Sequence, residues 1–81
     1  MKAYVNIETK PGTAITVVNR LRKLDGQVLS ADAIYGRFDA VCVVQAPALE
    51  GIDAVVFDSI QSDPNVLKTE TSIVLGLQST K

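Results

Sequence analysis

Twice within 81 residues the apolar positions pass from a strand-like period to a helical spacing and back, a rhythm that leaves few folds open to a chain this short. Lys2 to Glu8 alternates, with Ala3, Val5 and Ile7 on one side and Tyr4, Asn6 and Glu8 on the other, as in a half-buried strand. Thr9, Lys10, Pro11 and Gly12 end it. From Thr13 onward Ile15, Val18, Leu21 and Leu24 fall three apart while Thr16, Asn19, Arg20, Arg22 and Lys23 point elsewhere, which predicts an amphipathic helix closed by Gly26. Val28 to Tyr35 and Ala40 to Ala46 read as two strands, and Gly36, Arg37, Phe38 and Asp39 between them suit a hairpin. After Pro47 a second helix is predicted, with Leu49, Ile52, Val56 and Ile60 on one face and Asp63, Pro64 and Asn65 as its stop; Val66 to Leu75 then supplies the last strand.

Two similar units of about forty residues therefore follow one another, which is the split β-α-β plan. The expected fold is α+β and ferredoxin-like, βαββαβ, with a four-stranded antiparallel sheet and both helices on one of its faces. Residues 2–76 should form this single domain and 77–81 a polar C-terminal tail.

So small a domain buries only about 60% of the surface its unfolded chain exposes, and such domains are commonly supported by disulfides, metals or association. Cys42 is the only cysteine and there is no histidine, so an internal disulfide and the usual zinc ligand sets cannot be assembled. Self-association remains. Ala40-Val41-Cys42-Val43-Val44 is apolar at consecutive positions, and Ile73, Val74 and Leu75 repeat the pattern, so both faces of these strands call for cover. Helices reach only one face, and the other is expected to meet a second subunit.

A hydrophobic fraction of 47% beside 21% charged residues describes a folding chain. With a net charge of −1 and Arg20, Arg22 and Lys23 as the only basic cluster, no surface is fit to neutralise a run of phosphates, and direct nucleic-acid binding is not expected. The apolar stretches fall short of the roughly 20 residues of a membrane span, and Met1 to Glu8 lacks a signal peptide's apolar run, so a cytoplasmic location is expected.

Catalysis has little to draw on. Without histidine, and with Cys42 inside a predicted central strand, the common nucleophile and base pairings cannot form. Glu50, Asp53 and Asp58 fall on the polar side of the second helix and Asp25 and Asp63 at helix ends, where solvated charges belong. No glycine-rich phosphate loop is present. Tyr35-Gly36-Arg37-Phe38-Asp39 stands apart, because one short turn gathers two aromatic rings, a glycine, a cation and a carboxylate. A zwitterion such as a free amino acid needs N–H donors or a cation for its carboxylate and a carboxylate for its ammonium. The same turn also reads as a plain hairpin in which Gly36 supplies positive φ and Asp39 bonds back to the turn.

Taken together, Thr9-Lys10-Pro11-Gly12, Leu24-Asp25-Gly26, Gly36-Arg37-Phe38-Asp39, Asp63-Pro64-Asn65-Val66 and Thr69-Glu70-Thr71-Ser72-Ile73-Val74-Leu75 resemble the ligand-sensing RAM domain of the Lrp/AsnC transcriptional regulators. With its first strand starting near residue 2, the chain is similar to stand-alone RAM proteins, which lack the DNA-reading helix-turn-helix. The resemblance implies homodimers formed through the sheets, assembly into an octamer or decamer, and amino acids bound where dimers meet. It further implies that Asp39 takes the ligand ammonium, that the backbone around Gly36 and Arg37 helps hold its carboxylate, and that Thr69 and Thr71 contribute; strand parity alone allows those threonines to be ordinary sheet residues. Arg37 departs from the small or acidic residue usual at its place in the family.

The expected function is an oligomeric amino-acid sensor without cofactor or enzymatic activity, modulating a partner such as a full-length Lrp/AsnC regulator. A small ferredoxin-like dimeric enzyme of the monooxygenase or isomerase type, or an ACT-like regulatory domain, is the alternative.

Overall fold

The computed structural model describes residues 1–76, so the expected 77–81 tail lies outside the described residues. Strand β1 (Lys2–Thr9) leads into helix α1 (Ala14–Leu21), hairpin strands β2 (Val28–Ala33) and β3 (Ala40–Gln45), helix α2 (Leu49–Ala54) with a π-helical continuation over Val55–Ile60, and strand β4 (Val66–Ile73). The strands form one sheet in the order β2-β3-β1-β4, with every neighbouring pair antiparallel. This is the ferredoxin-like arrangement read from the sequence.

The alternation in β1 sets the core. Ala3, Val5 and Ile7 are fully buried and stand opposite Val44, Cys42 and Ala40 of β3, also buried. Val17, Val18 and Leu21 of α1 and Ile52, Val55, Val56 and Ile60 of the second helical run complete the cluster. Lys10-Pro11-Gly12-Thr13 turns the chain from β1 into α1: the Thr13 amide donates to the Lys10 carbonyl at 3.1 Å, and Gly12 takes the φ of +80° that the third position of such a turn requires.

Ile15 is 66% exposed and Val17 takes its expected place in the core. A residue spacing of three falls behind a helix of 3.6 residues per turn by about 60° a step, so Ile15 and Leu24 point about 180° apart and cannot share a face. The buried set Val17, Val18 and Leu21 follows the true period, and α1 stops at Leu21, well before Gly26. Leu49 is likewise exposed. In that opening turn of α2 the close approach is made by Gly51, on which a Cβ would lie 2.6 Å from the Ala46 Cβ, and Leu49 lies about 200° around the helix from it.

On the uncovered face stand Tyr4, Asn6 and Glu8, flanked by Val41 and Val43 of β3, Ser30 and Asp32 of β2, and Lys68, Glu70 and Ser72 of β4. The apolar demand on that face thus comes from β3 and Tyr4 alone. β4 ends at Ile73, which shares the helix-side face with Ala3, so the expectation that β4 is apolar on both faces is not met. β2 and β4 are the two edges, and Arg22 covers part of the first by donating from Nε to the Ala31 carbonyl at 2.8 Å.

Candidate functional site

The turn singled out in the sequence lies where β2 and β3 separate. The Ile34 amide donates to the Asp39 carbonyl at 2.9 Å, closing a loop over residues 35–38, and the Asp39 amide donates to the Ile7 carbonyl at 2.9 Å. With the Asp39 carbonyl committed to Ile34, the Thr9 amide donates instead to Asp39 Oδ2 at 2.8 Å. Thr9 is buried, and a buried N–H must find an acceptor. The Asp39 carboxylate therefore stands in for a strand carbonyl at the end of β1.

Tyr35, Gly36 and Arg37 are exposed, whereas Phe38 and Asp39 are half-buried. The Arg37 guanidinium lies 5.8 Å from the Phe38 ring centroid, within reach of a cation–π contact. Gly36 does not take positive φ, against the plain-hairpin reading; the glycines that do are Gly12 and Gly26. A Cβ built on Gly36 meets nothing within 4 Å, so among the described residues no neighbour crowds that position and its backbone is open to approach.

Thr69 and Thr71 pair with Ile7 and Val5, which puts both on the helix-side face of β4. Thr69 Oγ1 accepts from Gln61 Nε2 at 2.8 Å, while Thr71 is exposed. The structure does not bring them to the turn. Asp39 attaches to one edge of β1 and Thr69 to the other, a separation of two strand spacings or about 10 Å.

Burial pushes the Cys42 thiol up to about 11, which keeps it protonated near neutrality and removes it as a nucleophile. Among the described residues no three His, Cys, Asp or Glu side chains gather to hold a metal ion, and no helix is long and apolar enough to cross a membrane.

Sequence reasoning missed two features that depend on residues distant in the chain. Arg20 Nε donates to Asp63 Oδ2 at 2.8 Å and Nη2 to the Ser59 carbonyl at 2.6 Å, tying α1 to the end of the second helical run. A groove of about 590 Å³ lies at the opposite end of the sheet from the turn, lined in part by Gln27, Gln45, Ala54 and Asp58. No local motif signals either one.

Residues 2–79 match the model of the Lrp/AsnC ligand binding domain. Among solved structures the chain is similar to a protein from Thermus thermophilus, with 27% identity, a TM-score of 0.84 and 91% of each chain covered. It is similar to AsnC of E. coli at 24% identity and a TM-score of 0.83, covering 91% of this chain and 50% of that one. A transcriptional regulator from Neisseria meningitidis, solved as a complex with L-Met, is similar at 20% identity and a TM-score of 0.78, with 91% and 49% covered. The chain thus spans about half the length of these two regulators. No curated protein matches it.

Proposed function

The chain belongs to the Lrp/AsnC ligand-binding domain family, and we propose that it is an amino-acid-sensing regulatory domain that works as an oligomer and not as an enzyme. The observation that carries this reading is the family match over residues 2–79, which takes in the whole of the Tyr35–Asp39 turn. The Neisseria relative was solved with L-Met, and an α-amino acid is the ligand class we assign here.

In this reading the ligand ammonium meets the Asp39 carboxylate, whose Oδ2 is engaged by Thr9 and whose other oxygen is left to accept. Uncovered backbone around Gly36 and Arg37 donates to the ligand carboxylate, and Tyr35 and Phe38 border the aliphatic part. Thr69 lies about 10 Å from the turn of its own protomer, and Thr71, which pairs with Val5, lies farther still, so a pocket using all of these residues takes the turn from one copy and the threonines from another. Binding would then depend on assembly and would stabilise it, a direct way for a small molecule to bias an oligomer. Dimers joined through the uncovered sheet face, grouped into an octamer or decamer, provide such contacts. The regulated partner is a full-length Lrp/AsnC regulator taken into a mixed assembly, with DNA contacted by that partner, in the cytoplasm.

A thermal-shift screen of the twenty amino acids tests the reading. A ligand that binds only the folded state adds about 2.7 kcal/mol at 100 times its dissociation constant, which raises the melting temperature of so small a domain by roughly 10 °C or more. One or a few amino acids should do this. No shift with any of them would remove the sensing role.

A further inference from the structure

The two edges of the sheet are defended unequally. On β2 the Arg22 guanidinium takes up the Ala31 carbonyl, and a register shift between Val28 and Ser30 breaks the line of the strand. On β4 the corresponding shift falls at the very start, opposite Glu8 and Thr9, and residues 68–73 run on regularly. The Val74 amide donates to the Lys2 carbonyl at 2.8 Å. Antiparallel ladders alternate, so Ser72, Glu70 and Lys68 aim their backbone groups at β1 while Thr69, Thr71 and Ile73 aim theirs outward. None of these outward amides and carbonyls has a partner among the described residues.

A row of unpaired backbone groups is a template for another strand, and the side chains beside it decide which strand fits. Lys68 and Glu70 flank Thr69 on the uncovered face, both exposed and neither in an ion pair among the described residues. A second β4 laid antiparallel across a twofold axis at Thr69 sets Lys68 against the partner's Glu70 and Glu70 against the partner's Lys68. Both pairs fall at positions without backbone hydrogen bonds, where facing side chains come closest, while Thr69 exchanges both backbone bonds with its own counterpart. Lys68 then stands between Glu8 on β1 and the partner's Glu70. An axis at Lys68 or Glu70 would set like charges face to face, and one at Thr71 would leave Lys68 with no acid opposite, so the charges favour one register.

We propose that β4 is a self-pairing edge, at which a second copy of this chain continues the sheet through Thr69 and the charges of Lys68 and Glu70 fix the register. The axis stands perpendicular to the sheet, so the helices of both copies lie on one side and the uncovered faces on the other. The contact uses neither the Val41 and Val43 face nor the Tyr35–Asp39 turn, and it holds whether or not an amino acid binds.

Sedimentation velocity on the full chain at low salt, beside amide hydrogen exchange, tests the proposal. Lys68→Glu and Glu70→Lys each turn both facing pairs into like charges, and each should weaken the edge contact about tenfold, read as a shift toward smaller species. An equimolar mixture of the two variants restores opposite charges at both pairs and should regain the wild-type association. The outward Thr69 amide should be protected from exchange in the wild type and should lose that protection in each single variant. Both substitutions lie at exposed positions, and a melting curve confirms that each variant folds. Rapid exchange at Thr69 in the wild type, undiminished association in either single variant, or a mixture no better than its components would each overturn the pairing.

Discussion

Replacing Asp39 by alanine would remove the acceptor of the buried Thr9 amide along with any charge offered to a ligand, so that substitution cannot separate fold from function. Asparagine can. Its side-chain oxygen keeps the bond from Thr9 while the charge is lost, so Asp39→Asn should leave stability within about 0.5 kcal/mol and weaken amino-acid binding about tenfold, whereas Asp39→Ala should also cost about 1 to 3 kcal/mol of stability. Calorimetric titration beside a melting curve reads both; unchanged affinity in Asp39→Asn would return Asp39 to a purely structural role. Gly51 supplies a second case at this scale. Alanine would ordinarily gain up to about 1 kcal/mol over glycine inside a helix. Here its Cβ would meet that of Ala46 at 2.6 Å, and the resulting overpacking costs about 1 to 3 kcal/mol. Gly51→Ala should therefore lower the melting temperature, and a rise would mean that α2 can slide away from β3 at little cost.

Between elements, two ion pairs with similar lengths should differ in weight. Asp63 is nearly buried beneath Arg20, at 2.8 Å, and also accepts from the Asn65 amide at 2.9 Å, so it holds α1, the second helical run and the entry to β4 together. Arg22 and Asp32, at 3.2 Å, are both largely exposed, where such pairs contribute little. Asp63→Ala is expected to cost about 2 kcal/mol or more and Asp32→Ala under about 0.5 kcal/mol, as measured by urea unfolding. Equal costs would show that the Arg20 contact is as weak as a surface pair. The pattern of side chains made each of these elements legible in outline, but it placed Ile15 and Leu49 in the core. Ile15 leaves the core because a spacing of three is not the helical period, and Leu49 because the contact of α2 with β3 runs through a glycine, which carries no hydrophobic signal.

For the whole molecule, the uncovered sheet face is the surface on which the proposed assembly would form. Its apolar part is the half-buried pair Val41 and Val43 beside the exposed Tyr4, ringed by Asn6, Glu8, Ser30, Asp32, Lys68 and Glu70. An apolar centre within a polar rim is the usual anatomy of an interface. Light scattering should find an oligomer, and Val43→Asp should reduce its size without loss of secondary structure, because the side chain lies outside the core. A wild-type monomer at micromolar concentration, or an unchanged oligomer in Val43→Asp, would count against that face. Element order, the antiparallel sheet and the β1 core residues were all readable along the chain, since they rest on periodicities of neighbouring side chains and on the handedness of crossovers, whereas β3, apolar at every position from Ala40 to Val44, shows its core side only through its pairing with β1. The Asp39 bond to Thr9, the Arg20 clamp and the distance between the turn and Thr69 were not. Each links residues from 30 to 43 positions apart or lying on different strands, and such meetings follow from how the sheet is ordered and how the helices lie across it, which no local pattern encodes.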